Sequence, residues 1–317
     1  MPEPPPAAVS LLVPVRNAAT WAQSVVLPEQ VPVLVSDSGS DDGTPDTLRN
    51  RGARVTVQPD EPGRVDNWLR ALDLFRAEAE AGPWAKWLFA GDELDAAYLT
   101  AFQAEVARHP EARLVVSPYD FEEPDGRRVR SHGFLNRVPG FDQPRLVEPL
   151  EACRLTARHG NWFGPPLSQA IHRQALDPPP EPGDLPWVAD MAIALAVARR
   201  HPVLWLPVSA GSFRTAERRH FHQHRDSPES ILQTAILRYR AVEAAQAVGL
   251  GDRETASLRA EVDRHIIGEL LQNGLDRQDA RMDEALFSRF NRAALGRLLR
   301  YKGGRLFADG PSEAKDA

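Results

Sequence analysis

An α/β fold is what this sequence predicts: a mostly parallel central sheet flanked by helices, with a helical appendage toward the C-terminus. Three observations carry that expectation. Short, continuously apolar runs of strand length recur through the first 121 residues, helical patterns fill the intervals between them, and from Ser227 onward only helical segments follow. Continuous apolar character suits strands covered on both faces. Strand and helix alternating at this spacing make a β-α-β layout, whose ligands sit at the carboxyl ends of the strands.

The strand runs are VSLLVPV (9–15), VPVLVSD (31–37), RVTVQP (54–59), KWLFAGD (86–92) and ARLVVSPYDF (112–121). Helical patterns occupy 19–27, 44–51, 65–81 and 94–108. The middle, 122–186, is irregular and rich in loop signals such as VPGFDQP and DPPPEPGDLP. WVADMAIALAVARR (187–200) reads as a helix and PVLWLPVSAGSFR (202–214) as strand-like. Ser227 followed by Pro228 is an N-cap with proline at the first helical position, opening a helix to about Val248. A second helix runs from about 253 to 272 and stops near Asn273-Gly274, and a third spans about 279–300. The expected organisation is a proline-rich leader (1–8), an α/β domain (9–225), a helical appendage (226–307) and a tail (308–317).

Composition excludes several classes. A net charge of -6 argues against a dedicated nucleic-acid binder, whose affinity comes from neutralising phosphates. A single cysteine, Cys153, excludes an intramolecular disulfide and a cysteine zinc cluster, which makes the cytoplasm the simplest compartment. The leader has no secretory pattern, and no apolar run approaches the roughly 20 residues that cross a bilayer.

VLVSDSGSDDGT (33–44) passes from a strand interior straight into acidic and small residues, which suits either a strand-to-helix turn or a polar ligand site. Together with LLVPVRNAATWAQSV (11–25) it resembles the opening of family 2 glycosyltransferases, which have the A-type nucleotide-sugar fold. Pro14, Asn17, Asp37, Gly39, Ser40, Asp42, Gly43 and Thr44 occupy the matching places, and Ser38 stands where many members carry a second aspartate. The resemblance implies that Asp37 accepts a hydrogen bond from the nucleotide base, commonly uracil, and that the backbone near Pro14 and Val15 lines the base pocket. A carboxylate at a strand end can accept an imide N–H.

Further motifs follow in the same order. GRVDNWLRAL (63–72) is similar to the family segment in which an asparagine opens a helix beneath the nucleotide; Asn67 matches it, and Arg64 or Asp66 stands beside it as a further nucleotide contact. KWLFAGDELDAAYL (86–99) resembles the acidic signature that holds a divalent cation, Mn²⁺ or Mg²⁺, on the donor diphosphate. Asp92 matches the metal-binding aspartate, Glu93 replaces the next acid, and Ala90 stands at the earlier acidic position. Asp92 is equally placed to cap the helix that follows. GNWFGPPLSQAIHRQAL (160–176) resembles the segment that shapes the donor-sugar and acceptor cleft, with Asn161, Trp162 and Gly164 facing it; Trp162 suits a lid or core position as well.

DLPWVADMAIALAVARR (184–200) is similar to the place where the family keeps its catalytic base. Asp190 is the candidate, Ala189 replaces the usual preceding acid, and Asp184 is the fallback. SFRTAERRHFHQHR (212–225) suits a pyrophosphate clamp led by Arg214, metal ligation through His220, His222 or His224, or a solvated basic loop. The whole resemblance covers about residues 9–225. It implies inverting transfer of a sugar from a nucleotide diphosphate donor to a glycan or lipid-linked acceptor, with a non-catalytic nucleotide- or glycan-binding relative as the alternative. In 279–307, apolar residues recur at helical spacing beside an excess of arginine; this suits either packing on the α/β domain or peripheral contact with an anionic membrane.

Overall fold

The computed structural model describes residues 9–122, 127–131, 135, 138–180, 185–214 and 228–278. The readings made for Asp184, for His220, His222 and His224, for the Ser227 cap and for 279–307 lie outside these residues, as does the Arg214 side chain.

Twelve strands are described: β1 Val9–Val15, β2 Val33–Asp37, β3 Arg54–Val57, β4 Trp84–Trp87, β5 Asp92–Leu94, β6 Leu114–Val116, β7 Asp120–Glu122, β8 Arg128–Arg130, β9 Arg145–Val147, β10 Gln169–His172, β11 Val203–Trp205 and β12 Gly211–Arg214. Eight form the central sheet in the order β3-β2-β1-β4-β10-β6-β11-β9. Only β10 and β9 run against the rest, so the expected sheet class is observed. The helices are α1 Ala19–Ser24, α2 Thr44–Asn50, α3 Arg64–Ala77, α4 Ala96–Arg108, α5 Pro149–His159, α6 Ala189–Ala198, α7 Pro228–Ala247 and α8 Asp252–Gln278.

Strand side chains alternate between two apolar layers, as the period of two requires. Leu12, Leu34, Trp87, Val116 and Trp205 face one layer with α3, α5, α6, α7 and α8; Leu11, Val13, Val35, Trp84 and Leu204 face the other with α1, α2 and α4. The helices after residue 228 therefore continue the domain's own core: Leu237, Val242 and Leu258 share a cluster with Leu12. Helix α8 runs through Asn273-Gly274 rather than stopping there. An interior glycine costs a helix about 1 kcal/mol and does not by itself end it.

Three strand expectations are revised. RVTVQP was expected as a covered strand, but β3 is the sheet's edge and none of its residues is buried, with Val57 39% exposed. KWLFAGD does not form one strand: β4 ends at Trp87, a turn through Gly91 (φ 90°) follows, and Asp92 opens β5 in a second sheet. The 202–214 run also divides, because Pro207 cannot donate to a ladder and β11 and β12 belong to different sheets. That second sheet has the order β5-β12-β7-β8.

The ladder between β1 and β4 ends where the site begins. Leu88 N–H donates to Leu12 O, so Leu12 faces β4 and the next β1 residue facing that way is Pro14, which has no N–H. On its other side β1 stays paired with β2 as far as Val15 and Asp37. The crevice opens between β1 and β4, with β2 and β3 on one side and β4 on the other. This is the topological switch point at which open α/β sheets bind ligands.

One glycine is indispensable to the second sheet. A Cβ on Gly211, at φ 150°, would lie 2.0 Å from the Glu93 carbonyl oxygen across the β5–β12 pair. Neither backbone can retreat without breaking that pairing. Gly211→Ala is expected to cost about 3 kcal/mol or more in urea unfolding, well above an ordinary Gly→Ala change.

Candidate functional site at the carboxyl edge of the sheet

The turn after β2 is built to hold the loop after β1. Asp37 is completely buried; its Oδ1 accepts Ser40 N–H at 2.8 Å and its Oδ2 accepts the Ser40 hydroxyl at 2.6 Å. Ser40 Oγ in turn accepts Asn17 N–H at 2.8 Å, and Asn17 Oδ1 accepts Asp41 N–H at 3.1 Å. Asp42 Oδ2 accepts Ala19 N–H at 2.9 Å, and Thr44 Oγ1 accepts Ala18 N–H at 2.9 Å. Asn17 takes the left-handed conformation at φ 47°, which asparagine tolerates better than most residues. Much of the polar motif at 37–44 thus serves the loop itself. The Asp37 carboxylate still has lone pairs beyond the two bonds from Ser40.

Asn67 lies one turn into α3 and is buried beneath the crevice. Its Nδ2 donates to Ser36 O at 3.0 Å and to Val15 O at 3.4 Å, and its Oδ1 accepts the Ser36 hydroxyl at 2.7 Å. The carboxamide therefore closes the ends of β1 and β2, and it supports the nucleotide site expected at Pro14 and Val15 from below. Arg64, at the first position of α3, is exposed, and its Nη2 donates to Pro186 O at 3.0 Å.

Across the crevice, Asp92 N–H donates to Phe89 O at 2.9 Å while Asp92 Oδ2 accepts Phe89 N–H at 2.9 Å, a reciprocal closure of the turn. Trp21 Nε1 donates to Asp92 O at 3.1 Å and fastens α1 to this turn. Asp92 is only 1% exposed. The cap of α4 is Asp95, which accepts Ala97 N–H at 2.8 Å, so Asp92 is released from the capping role. Glu93 is turned outward toward Arg128, 3.8 Å away.

Sequence reasoning passed over Lys86. It is fully buried, donates to the carbonyls of Leu167 and Gln169, and lies 5.0 Å from the Tyr98 ring centroid. Burial pushes its ammonium down to about 7, and the Asp92 charge opposes the shift. A lone lysine inside an apolar strand was the available signal. Nothing in linear sequence says which carboxylate it faces.

Asp190 is the one charged residue in α6, a helix otherwise apolar all round, and it sits half-buried in the first turn. Burial pushes its carboxyl up to about 6, against the Met191 backbone N–H and the positive charge of Arg64, which favour the carboxylate. The Arg64 guanidinium is held at Pro186 and Trp187, three to four residues before Asp190, which places its charge near the start of α6.

The 160–164 segment divides. Asn161 is exposed, and Gly164, at φ 70°, gives its carbonyl to Gln169 Nε2 at 3.0 Å. Trp162 is wholly buried, with Nε1 donating to Thr156 Oγ1 at 3.0 Å and its ring tilted against Phe163, so it offers no face to a sugar. The expectation of a cleft tryptophan is corrected to a core one. Arg214 ends β12, one residue beyond the Phe213 that pairs with Asp92.

Among the described residues no group of three or more His, Cys, Asp or Glu is placed to hold a metal ion. A magnesium-type ion needs only one or two carboxylates when substrate phosphates supply the remaining ligands, and Asp92 fits that reduced role.

No family model matches the chain, and no curated protein sequence matches it. Its fold is similar to solved structures. TarS 1–349 from S. aureus, in complex with UDP-GlcNAc, aligns at a TM-score of 0.63 and 15% identity over 92% of this chain and 80% of that one. A second structure of TarS 1–349 aligns at 0.56 and 16% identity over 80% and 70%. Glucosyl-3-phosphoglycerate synthase from Mycobacterium tuberculosis, in complex with Mn²⁺, UDP-glucose and phosphoglyceric acid, aligns at 0.44 and 18% identity over 74% and 79%. At their identities the two TarS structures show a likeness of fold. No described helix is long and apolar enough to cross a membrane.

Removing the Asn67 carboxamide leaves Ser36 and the Val15 and Ser36 carbonyls without that partner. Asn67→Ala is expected to lower stability by about 1–3 kcal/mol in urea titration.

Proposed function

We propose that the chain is an inverting glycosyltransferase that takes its sugar from a nucleotide diphosphate donor, a UDP-sugar, and passes it to a hydroxyl of a glycan or lipid-linked acceptor. The observation that carries this reading is the break in the sheet beyond Leu12, where β1 leaves β4 at Pro14 but stays paired with β2 as far as the buried Asp37 at that strand's carboxyl end. The fold-level likeness to a UDP-GlcNAc-bound protein over 92% of the chain supports it.

In this reading the base lies at the Pro14–Val15 backbone with its imide N–H on Asp37. Asn17 and Ser40 keep the loop in shape, and Asn67 supports the floor. Asp92 would hold a divalent cation together with the diphosphate oxygens, and Arg214 is the sequence candidate for a further diphosphate contact. When bound, such an ion neutralises charge on the departing diphosphate. Asn161 and Gly164 edge the acceptor side. Asp190 takes the proton of the acceptor hydroxyl as its oxygen attacks the anomeric carbon. The bond from that carbon to the diphosphate breaks on the opposite face, and the nucleoside diphosphate leaves. The membrane-contact reading of 279–307 remains a proposal from sequence alone.

Ala90 and Ala189, each standing where the resemblance expects an acid, favour a second reading, a nucleotide- or glycan-binding relative without transfer. Hydrolysis or transfer of UDP-GlcNAc separates the two, since a pure binder shows neither.

Asp37→Ala is expected to weaken UDP binding at least tenfold in calorimetry while the protein stays folded; unchanged affinity removes Asp37 from the base pocket. Asp190→Asn is expected to leave UDP affinity near wild type and to lower transfer about 10²–10⁴-fold. The base must be ionised to accept a proton, and burial raises its carboxyl to about 6. Wild-type turnover should therefore rise with pH through about 6 and level off above it. A rate flat from pH 5 to 8 would exclude Asp190 as the base.

A further inference from the structure

We propose that Arg64 is a positioning residue for Asp190: it ties the segment entering α6 to the start of α3 and keeps a fixed positive charge facing the Asp190 carboxylate without pairing with it. The proposal rests on the reading of Asp190 as the base, and it departs from the sequence expectation of Arg64 as a nucleotide contact.

The position of Arg64 is locally unfavourable. It is the first residue of α3, where the helix dipole opposes a cation, and Gly63 before it provides no side-chain cap. Tertiary contacts hold it there. Its Nη2 donates to Pro186 O at 3.0 Å, its guanidinium carbon lies 5.3 Å from the Trp68 ring centroid and 5.4 Å from that of Trp187, and Trp187 N–H donates to Gln233 Oε1 at 2.8 Å. The guanidinium is thus fixed by α3 on one side and by the 186–187 segment on the other, with that segment fastened to α7. A planar cation over indole rings is a geometry that arginine meets better than lysine.

Asp190 follows three residues after Trp187. Among the described residues no direct ion pair joins it to Arg64, whose Nη2 donates to Pro186 O. The carboxylate accepts backbone N–H groups at the start of α6 and is favoured through space by Arg64, but it is not drawn into a salt bridge with it; a tight ion pair would make it a poorer base. Arg64 is the charged side chain that acts on it. Arg199, Arg240 and Glu243 line a groove between α6 and α7 that also contains Leu195 and Ala247, toward the other end of α6.

The test is a carboxyl ¹³C NMR titration of the full chain labelled at aspartate, with Asp190→Asn assigning the resonance. Wild type should show an Asp190 midpoint near 6. Arg64→Met should move the midpoint upward by about half a unit or more, because the carboxylate loses its facing charge. Arg64→Gln keeps an N–H donor for Pro186 O but not the charge, and it should show the same rise; Arg64→Lys should restore most of the wild-type value. If either neutral variant is folded by circular dichroism and its midpoint stays within about 0.1 unit of wild type, the proposal is overturned. The titration needs no turnover. Full transfer activity in Asp190→Asn would sink the base assignment and leave the coupling of Arg64 to Asp190 standing, so the two failures are distinguishable.

Discussion

Pro14 sets the geometry on which the site depends. A β1 residue facing β4 must donate an N–H for the ladder to continue, and at Pro14 there is none. Beyond Leu12 the two strands separate on that side, while β1 remains bonded to β2 through Asp37. An opening therefore forms inside a continuous core sheet, at the strand ends where backbone groups need new partners. Ser38 N–H supplies one for Val15 O at 2.9 Å, Asn67 Nδ2 donates to Ser36 O and adds a longer bond to Val15 O, and the reciprocal Phe89–Asp92 bonds close the turn opposite. The polar residues around the crevice are as much a solution to the backbone's unmet hydrogen bonds as a binding surface.

The same economy explains why motif residues have structural partners. Ser40, Asp42 and Thr44 bond to the loop at 17–19, so the first two β-α connections form one rigid rim. A rim held by short hydrogen bonds can present backbone groups to a planar base at little entropic cost. A ten-residue apolar helix carries a single acid at its start, and the segment before it is tied to α3 by Arg64. Two helix N-termini thus carry charge, a cation on α3 and an acid on α6.

The β-α-β order was legible because buried parallel strands are continuous apolar runs, and VSLLVPV and VPVLVSD are such runs. β9 and β10 were not legible, since strands of three or four residues are too short to display a period. The breaks at Trp87 and at Leu206–Ala210 were hidden for another reason: apolar character continues through them while the chain changes sheet. Asp37, Asp92 and Asp190 stood out as acids beside apolar segments. Trp162 misled because an indole suits a core and a sugar surface equally, and only its complete burial separates the two.

By itself the sequence determined the layer architecture and the acids at the strand and helix ends, because hydrophobic periodicity and local turn chemistry are properties of neighbours along the chain. Tertiary structure alone decided what those acids face. Lys86 lies behind Asp92, Arg64 opposite Asp190, and Asn67 beneath the ends of β1 and β2. Each of these relations joins segments with no periodic or spacing signal between them, and the electrostatic and hydrogen-bond energies involved depend on distance in space and on burial, neither of which linear order encodes.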